Sequence, residues 1–324
     1  MHGTHRTIMI EKNTHFNNLF AFPRYAVVPK YEHRAFIPYT TMFSHLPPDA
    51  VSVHRGRVTE IHPDCVLLEG EASIPYEYLV VATGTRLTPP GTLPTDTKPE
   101  GIAYFQAHQK VVKNAQKIVI VGGGANGVPA RDRARAVAEL HVNVVLNDRV
   151  RIPTGGFPVD GSDFAVELAS GNRLAADLVI MATGQTPNSA PLRTLAPGAI
   201  TPAGYISVLR TLQLTDPAYP RVFALGDVAD TTHHKAARPA EHQAVVVAEN
   251  IRRLADGKGK PLEKYKDQSR GIHLSLGIKR SVFFDSPMDP DGEPVFKIDE
   301  DGTPDFDADR FWRTKAPGIT DYYL

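Results

Sequence analysis

The sequence predicts an α/β fold of two Rossmann-like dinucleotide-binding units followed by a smaller α+β segment, and three observations carry that expectation. First, K-I-V-I-V-G-G-G-A-N-G-V at 117–128 runs four β-branched residues, Ile118 to Val121, straight into Gly122-x-Gly124-x-x-Gly127. A buried parallel strand enters a dinucleotide-binding turn in this way. Second, an acid, an apolar strand and A-T-G occur twice in register. Glu77 precedes Ala82-Thr83-Gly84, and Asp177 precedes Ala182-Thr183-Gly184. We read this as an internal duplication of a nucleotide-binding half. Third, Val222-Phe223-Ala224-Leu225 is a further buried strand, and it closes on Gly226-Asp227.

The elements follow in order. Thr7 to Ile10 is a short strand closing on Glu11, the place where a dinucleotide-binding fold puts its ribose-hydroxyl acceptor. From His15 to Phe43 the chain is aromatic and punctuated by proline. We expect a long ordered connection with a short helix around Leu19 to Tyr25, most of its rings in a core, and the segment able to wall a planar ligand. Val51 to Val81 alternates and breaks like antiparallel strands. Pro89, Pro90, Gly91 and the polar stretch to Glu100 mark a crossing between domains. In the glycine motif Gly122 allows the tight turn, Gly124 lets the backbone approach a pyrophosphate, and Gly127 lets the next helix pack closely. Ser170-Gly171-Asn172 is a turn before the second acid and strand. An amphipathic helix spans about Arg238 to Leu254, with Ala240, Ala244, Val245, Val247, Ala248 and Ile251 at its apolar positions. Gly257 to Lys260 is a linker. Strands at Ile272 to Ile278, Ser281 to Phe284 and Val295 to Ile298 then lead to Phe311-Trp312 and Tyr322-Tyr323.

Composition narrows the function. The 324 residues are 42% hydrophobic and 22% charged, with 36 Lys+Arg against 36 Asp+Glu. That balance favours neither nucleic acid nor an anionic membrane as partner. No apolar run approaches the roughly 20 residues of a membrane span, and the first twelve residues do not resemble a signal or transit peptide. A cytoplasmic location is therefore expected. Cys65 is the one cysteine, which excludes structural disulfides, cysteine-ligated zinc and a C-x-x-C redox pair. We expect it to be a buried small hydrophobe. The adjacent His233 and His234 are not expected to share a metal.

Glu11 at a strand end, the two A-T-G segments, Gly122-x-Gly124-x-x-Gly127 and Gly226-Asp227, in that order, resemble the two-dinucleotide-domain flavoproteins. H-F-N-N-L-F-A-F-P-R at 15–24, A-T-G-Q-T-P-N at 182–188 and A-P-G-I-T-D-Y at 316–322 narrow the resemblance. The chain is similar to the apoptosis-inducing-factor-like NAD(P)H oxidoreductases of fungi, near the quinone-reducing type, which belong to the pyridine nucleotide-disulfide oxidoreductase superfamily without redox cysteines. The resemblance implies FAD and NAD(P)H as cofactors. Glu11, with Lys12 beside it, would hold the adenosine ribose of FAD, and Asp227 after Gly226 the ribityl chain. Ala82, Thr83 and Gly84 would bring backbone close to the flavin nucleotide, with Gly184 its counterpart in the second copy. The helix starting near His242 and Gln243 would point its N-terminus at the isoalloxazine. Gly122, Gly124 and Gly127 would seat the nicotinamide coenzyme.

The implied domains are 1–105 with 215–256 for FAD, 106–214 for NAD(P)H, and 261–324 at the C-terminus. Two departures from the family pattern stand out. No FAD-binding glycine turn precedes Thr7, so the chain reads as truncated there, with weak FAD retention and poor stability expected. About 30 residues, one strand-and-helix unit, are also missing after Gly127. Spacing offers a rival to this deletion: Asp148 lies about 20 residues past the glycine turn, where a ribose-binding acid belongs. Arg131, Arg133 and Arg135 could either favour a 2′-phosphate or form a solvated face.

The function the resemblance implies is hydride transfer from nicotinamide to flavin, then electrons to a quinone-like acceptor, with a homodimer left open. The alternative is a degenerate, cofactor-free member acting as a non-redox binding protein or isomerase.

Overall fold

The computed structural model describes residues 5–70, 72–122, 143–231, 235–276, 278–289 and 291–324. β1 (Thr7–Glu11) opens it. β2 (Phe16–Asn17) and β3 (Phe36–Ile37) pair antiparallel around α1 (Phe22–Tyr25), a single turn that begins later than the expected helix, with Pro23 in its first turn. β4 (Val51–Arg55) lies parallel to β1, Thr7 opposite Val51 and Glu11 opposite Arg55. β5 (Val58–Ile61), β6 (Cys65–Leu68) and β7 (Ser73–Pro75) form an antiparallel meander. β8 (Leu79–Val81) runs through Ala82-Thr83-Gly84 into β9 (Thr85–Leu87). The antiparallel expectation for 51–81 therefore holds only in its middle. Alternation reports a half-buried strand, but the direction of its partner is set by the connection between them.

α2 (Lys98–Asn114) begins at the end of the polar stretch expected to cross between domains and runs on through residues for which no element is expected. Thr97-x-x-Glu100 has the capping-box spacing at its start, but the two side chains bond each other, Thr97 Oγ1 donating to Glu100 Oε2 at 2.6 Å, and Thr97 makes no side-chain cap to the helix backbone. β10 (Ile118–Val121), the hairpin of β11 (Phe164–Glu167) and β12 (Arg173–Ala176), and β13 (Leu178–Met181) follow, with β13 parallel to β10 as expected, although among the described residues Ile118 and Ile120 are exposed and only Val121 of β10 is buried. β14 (Gln185–Pro187) pairs antiparallel with β9. β15 (Ile206–Ser207) runs parallel to β17 (Ala229–Asp230), and β16 (Val222–Ala224) parallel to β8. Then come α3 (Ala237–Asp256), an antiparallel sheet of β18 (Arg270–Leu276), β19 (Arg280–Ser286) and β20 (Val295–Asp299), and α4 (Ala308–Lys315).

The cores explain which aromatic residues are spent on packing. Phe22, Tyr25, Phe36 and Phe105 are buried together, the Phe22 and Phe105 rings edge-on with centroids 5.1 Å apart. Phe20 stays exposed. Trp312 of α4 packs on Ile37 and donates from Nε1 to Arg34 O at 2.9 Å, so the last helix shares a core with β3. Lys98 is buried beneath it. Its Nζ donates to Tyr322 O at 2.7 Å and Phe36 O at 3.3 Å, and burial pushes its pKa down to about 8. Cys65 is half-buried rather than buried, and desolvation and Asp64 both push its thiol pKa up.

α3 corrects the expected apolar stripe. Pro239, Gln243, Val247 and Asn250 are its buried residues, while Ala244, Val245 and Ala248 are exposed. The two amides face inward because each satisfies backbone. Asn250 Nδ2 donates to Thr211 O at 3.0 Å and Glu263 O at 2.9 Å, and its Oδ1 accepts from Glu263 N at 2.6 Å.

Candidate functional site

The candidate residues of the first unit lie at the carboxyl ends of parallel strands. Glu11 closes β1, and its carbonyl accepts from Gly56 N at 3.0 Å. Asn13 donates to Glu11 Oε1 twice, from N and from Nδ2, each at 2.9 Å. Lys12 Nζ donates to Asn13 Oδ1 at 2.9 Å and to Asp96.

Ala82-Thr83-Gly84 leaves β8, and Val81 O accepts from Leu225 N at 3.1 Å, which brings the loop after β16 alongside. Gly84 has φ +63°, and a Cβ there would meet nothing within 4 Å. The turn is clasped from the second unit. Thr83 Oγ1 donates to Asn188 O at 2.7 Å, Asn188 Nδ2 to Thr83 O at 2.9 Å, and Asn188 N to Gly84 O at 3.0 Å. The two duplicated segments thus pair with each other through β9 and β14, Thr85 opposite Pro187 and Leu87 opposite Gln185. Asn188 stands in the sequence only as the end of A-T-G-Q-T-P-N, and its clasping role is not legible there because its partner Thr83 lies 105 positions away. Gly184, φ +57°, has open space before it as Gly84 does.

Gly226-Asp227 forms a short 3₁₀ turn after β16. Gly226 N donates to Gln243 Oε1 at 2.7 Å. Gln243 is therefore an inward brace of this turn, whereas His242, its neighbour, is exposed. Asp227 and Asp230 lie close enough to Lys235 to oppose the burial that lowers its pKa, and Lys235 Nζ stands 4.8 Å from the Tyr205 ring centre. α3 begins after Ala236, which supplies no side-chain cap, and with Pro239 lacking an N–H and Ala240 N bonded to Ala236 O, the first-turn donors that could meet an acceptor beside the positive end of the dipole are the N–H groups of Ala237 and Arg238.

In the second unit Gly122 follows β10 with φ +100°, and a Cβ there would lie 2.6 Å from Ala182 O. Close approach of the two strand ends therefore demands glycine. Gly124, Gly127, Arg131, Arg133, Arg135, His233 and His234 lie outside the described residues. Residues 143–148 carry no strand. Asp148 is engaged in a turn, accepting from Arg149 N at 2.8 Å, Ser170 N at 3.2 Å and Ser170 Oγ at 2.5 Å, and its pKa is lowered by them, Ser170 Oγ foremost. A ribose hydroxyl would have to compete with these donors for the carboxylate.

Among the described residues no helix is long and apolar enough to cross a membrane. Residues 129–246 match the pyridine nucleotide-disulphide oxidoreductase family. The chain is 31% identical over 337 residues to Fe-regulated protein 8 of Mycosarcoma maydis, covering 86% of this chain and 81% of that protein. A FAD-dependent oxidoreductase of Flammulina velutipes is 30% identical over 290 residues, 78% of this chain and 86% of that one. Among solved structures, the sulfide:quinone oxidoreductase of Aquifex aeolicus superposes with a TM-score of 0.73 at 17% identity, over 98% of this chain and 87% of the other. That likeness shows a shared fold.

Proposed function

The chain belongs to the pyridine nucleotide-disulphide oxidoreductases, and on that premise we propose that it is an FAD-dependent NAD(P)H oxidoreductase of the apoptosis-inducing-factor-like type with a quinone-like final acceptor. The observation that carries this reading is the place of Glu11, Gly84 and Gly226-Asp227. All stand at the carboxyl ends of strands with parallel partners, β1, β8 and β16, where open α/β sheets receive their ligands.

The groups present suit a dinucleotide. Glu11 offers a carboxylate oxygen to a ribose hydroxyl, and Asp227 offers another to a ribityl chain. The space before Gly84 lets a ligand reach backbone. Bound FAD would supply two-electron exchange, with a reduced nicotinamide as donor and the quinone-like compound as acceptor. The chain's own residues bind and orient. Gln243 fixes the turn carrying Asp227, α3 adds the positive end of its dipole, and Lys235 adds a cation near the same carboxylate. Gly122 opens the turn proposed to seat the nicotinamide coenzyme. A cytoplasmic place of work is part of this reading, and fractionation of cells expressing the full chain tests it.

Titrating the full chain with FAD and following flavin fluorescence is the direct experiment, with NADH or NADPH then expected to bleach the visible absorbance. Asp227→Ala should weaken FAD about ten- to a hundredfold, since a hydrogen bond to a charged group contributes about 1.5–3 kcal/mol. His242→Ala should have a smaller effect. Full FAD affinity in Asp227→Ala would remove the role assigned to that carboxylate, and a chain indifferent to both FAD and NAD(P)H would overturn the function.

A further inference from the structure

The polar residues around Glu11 form a continuous chain across the end of β1. Asn13 N and Nδ2 both donate to Glu11 Oε1 at 2.9 Å. The other end of that amide, Oδ1, accepts from Lys12 Nζ at 2.9 Å. Lys12 Nζ also donates to Asp96 Oδ1, and Asp96 Oδ2 accepts from Arg57 Nη2. The backbone closes the loop, with Thr14 N donating to Asp96 O at 2.9 Å and Lys98 N to Thr14 Oγ1 at 3.2 Å.

This arrangement permits one orientation of the Asn13 amide. Exchanging its oxygen and nitrogen would set NH₂ against the Lys12 ammonium and oxygen against the Glu11 carboxylate, losing both bonds. Both donations end on Oε1, and among the described residues no hydrogen bond reaches Oε2. One carboxylate oxygen is thereby held and the other left to an incoming donor.

We infer that Asn13 is the positioning residue of the ribose-hydroxyl acceptor: oriented by Lys12 and anchored through Asp96 and Arg57, it fixes Glu11 so that a single oxygen faces the ligand. This rests on the reading that Glu11 holds the adenosine ribose of FAD. Asn13 touches no ligand in this scheme and acts only through Glu11.

The test is a double-mutant cycle on the full chain, stripped of flavin and titrated with FAD by fluorescence quenching. Asn13→Ala should weaken FAD about three- to tenfold, and Glu11→Ala about ten- to a hundredfold. The double variant should bind FAD no more weakly than Glu11→Ala alone, because Asn13 has nothing left to position. Asn13→Asp, which keeps the shape but replaces the donor with a like charge, should bind more weakly than Asn13→Ala, with the melting temperature of each flavin-free variant near that of wild type. Additive losses in the double variant, or wild-type FAD affinity in both Asn13 variants beside a loss in Glu11→Ala, would overturn the positioning role and leave the role of Glu11 intact. Wild-type affinity in Glu11→Ala would overturn both.

Discussion

The two A-T-G segments invite comparison, because one tripeptide serves both units and its surroundings differ. Each follows an acid and a three- or four-residue apolar strand, and each ends in a left-handed glycine with open space before it. In the second unit β13 is paired with β10, and Ala182 is pressed against Gly122. Asp177 caps the start of β10, accepting from Gln116 N at 2.7 Å and Lys117 N at 3.0 Å, and those bonds, Gln116 foremost, hold its carboxyl below the usual range. In the first unit β8 is paired with β16 instead, and its acid, Glu77, meets side chains, His5 Nε2 at 3.1 Å and Arg221 Nη1 at 3.8 Å. The same local sequence is thus a strand-to-strand brace in one unit and a half-exposed ion pair in the other. A turn's conformation belongs to the turn, and its mechanical role belongs to what lies beside it.

The sharpest way to break the comparison is to give both units a Cβ at the glycine. Gly122→Ala combines positive φ with contact on Ala182 backbone and should cost about 2–4 kcal/mol. Gly84→Ala meets only the conformational penalty and should cost about 1–2 kcal/mol. Urea unfolding of both proteins decides it, and equal losses would mean that Ala182 gives way freely.

The acids come next. Asp177→Asn should destabilise more than Glu77→Gln, which removes a solvated pair contributing under about 1 kcal/mol. The sign with pH follows from the lowered Asp177 pKa. In the window between its folded and unfolded values the unfolded chain binds more protons, so stability falls as pH falls. The advantage of wild type over Asp177→Asn should therefore be full at neutral pH and shrink only as pH falls below the ordinary carboxylate range toward the lowered folded value, as thermal melts from neutral pH into strong acid would record. A constant gap across that range would show that the cap is not electrostatic.

The smallest expected effect lies where the units meet. Asn188→Ala removes the bond to Thr83 O and should cost about 1 kcal/mol. Amide exchange at Thr85 to Leu87 should quicken while the strands of β18 to β20 are untouched. Unchanged exchange in that ribbon would mean that β9 and β14 hold each other without the clasp.

Much of this was legible in the chain. Ile118 to Val121, the duplicated acid-strand-A-T-G and the three C-terminal strands announce themselves because β-branched runs and glycine turns act through backbone preferences a few residues long. The same locality explains the misses. α2 was hidden behind prolines although Thr97 and Glu100 mark its start, and α3 buries Gln243 and Asn250 where its apolar residues had suggested another face. An amide turned inward is indistinguishable from one in solvent until its backbone partners are known.

By itself the sequence determined the strand that enters the glycine motif, the two acid-strand-A-T-G segments, the C-terminal strands and the order of candidate ligand-binding groups at strand ends. The tertiary structure alone decided strand direction, the crossing of β9 with β14, the clasp between Thr83 and Asn188 across 105 positions, and the amide that turns Glu11. The first set depends on steric limits within a residue and its neighbours. The second depends on hydrogen-bond partners that only chain folding brings within 3 Å.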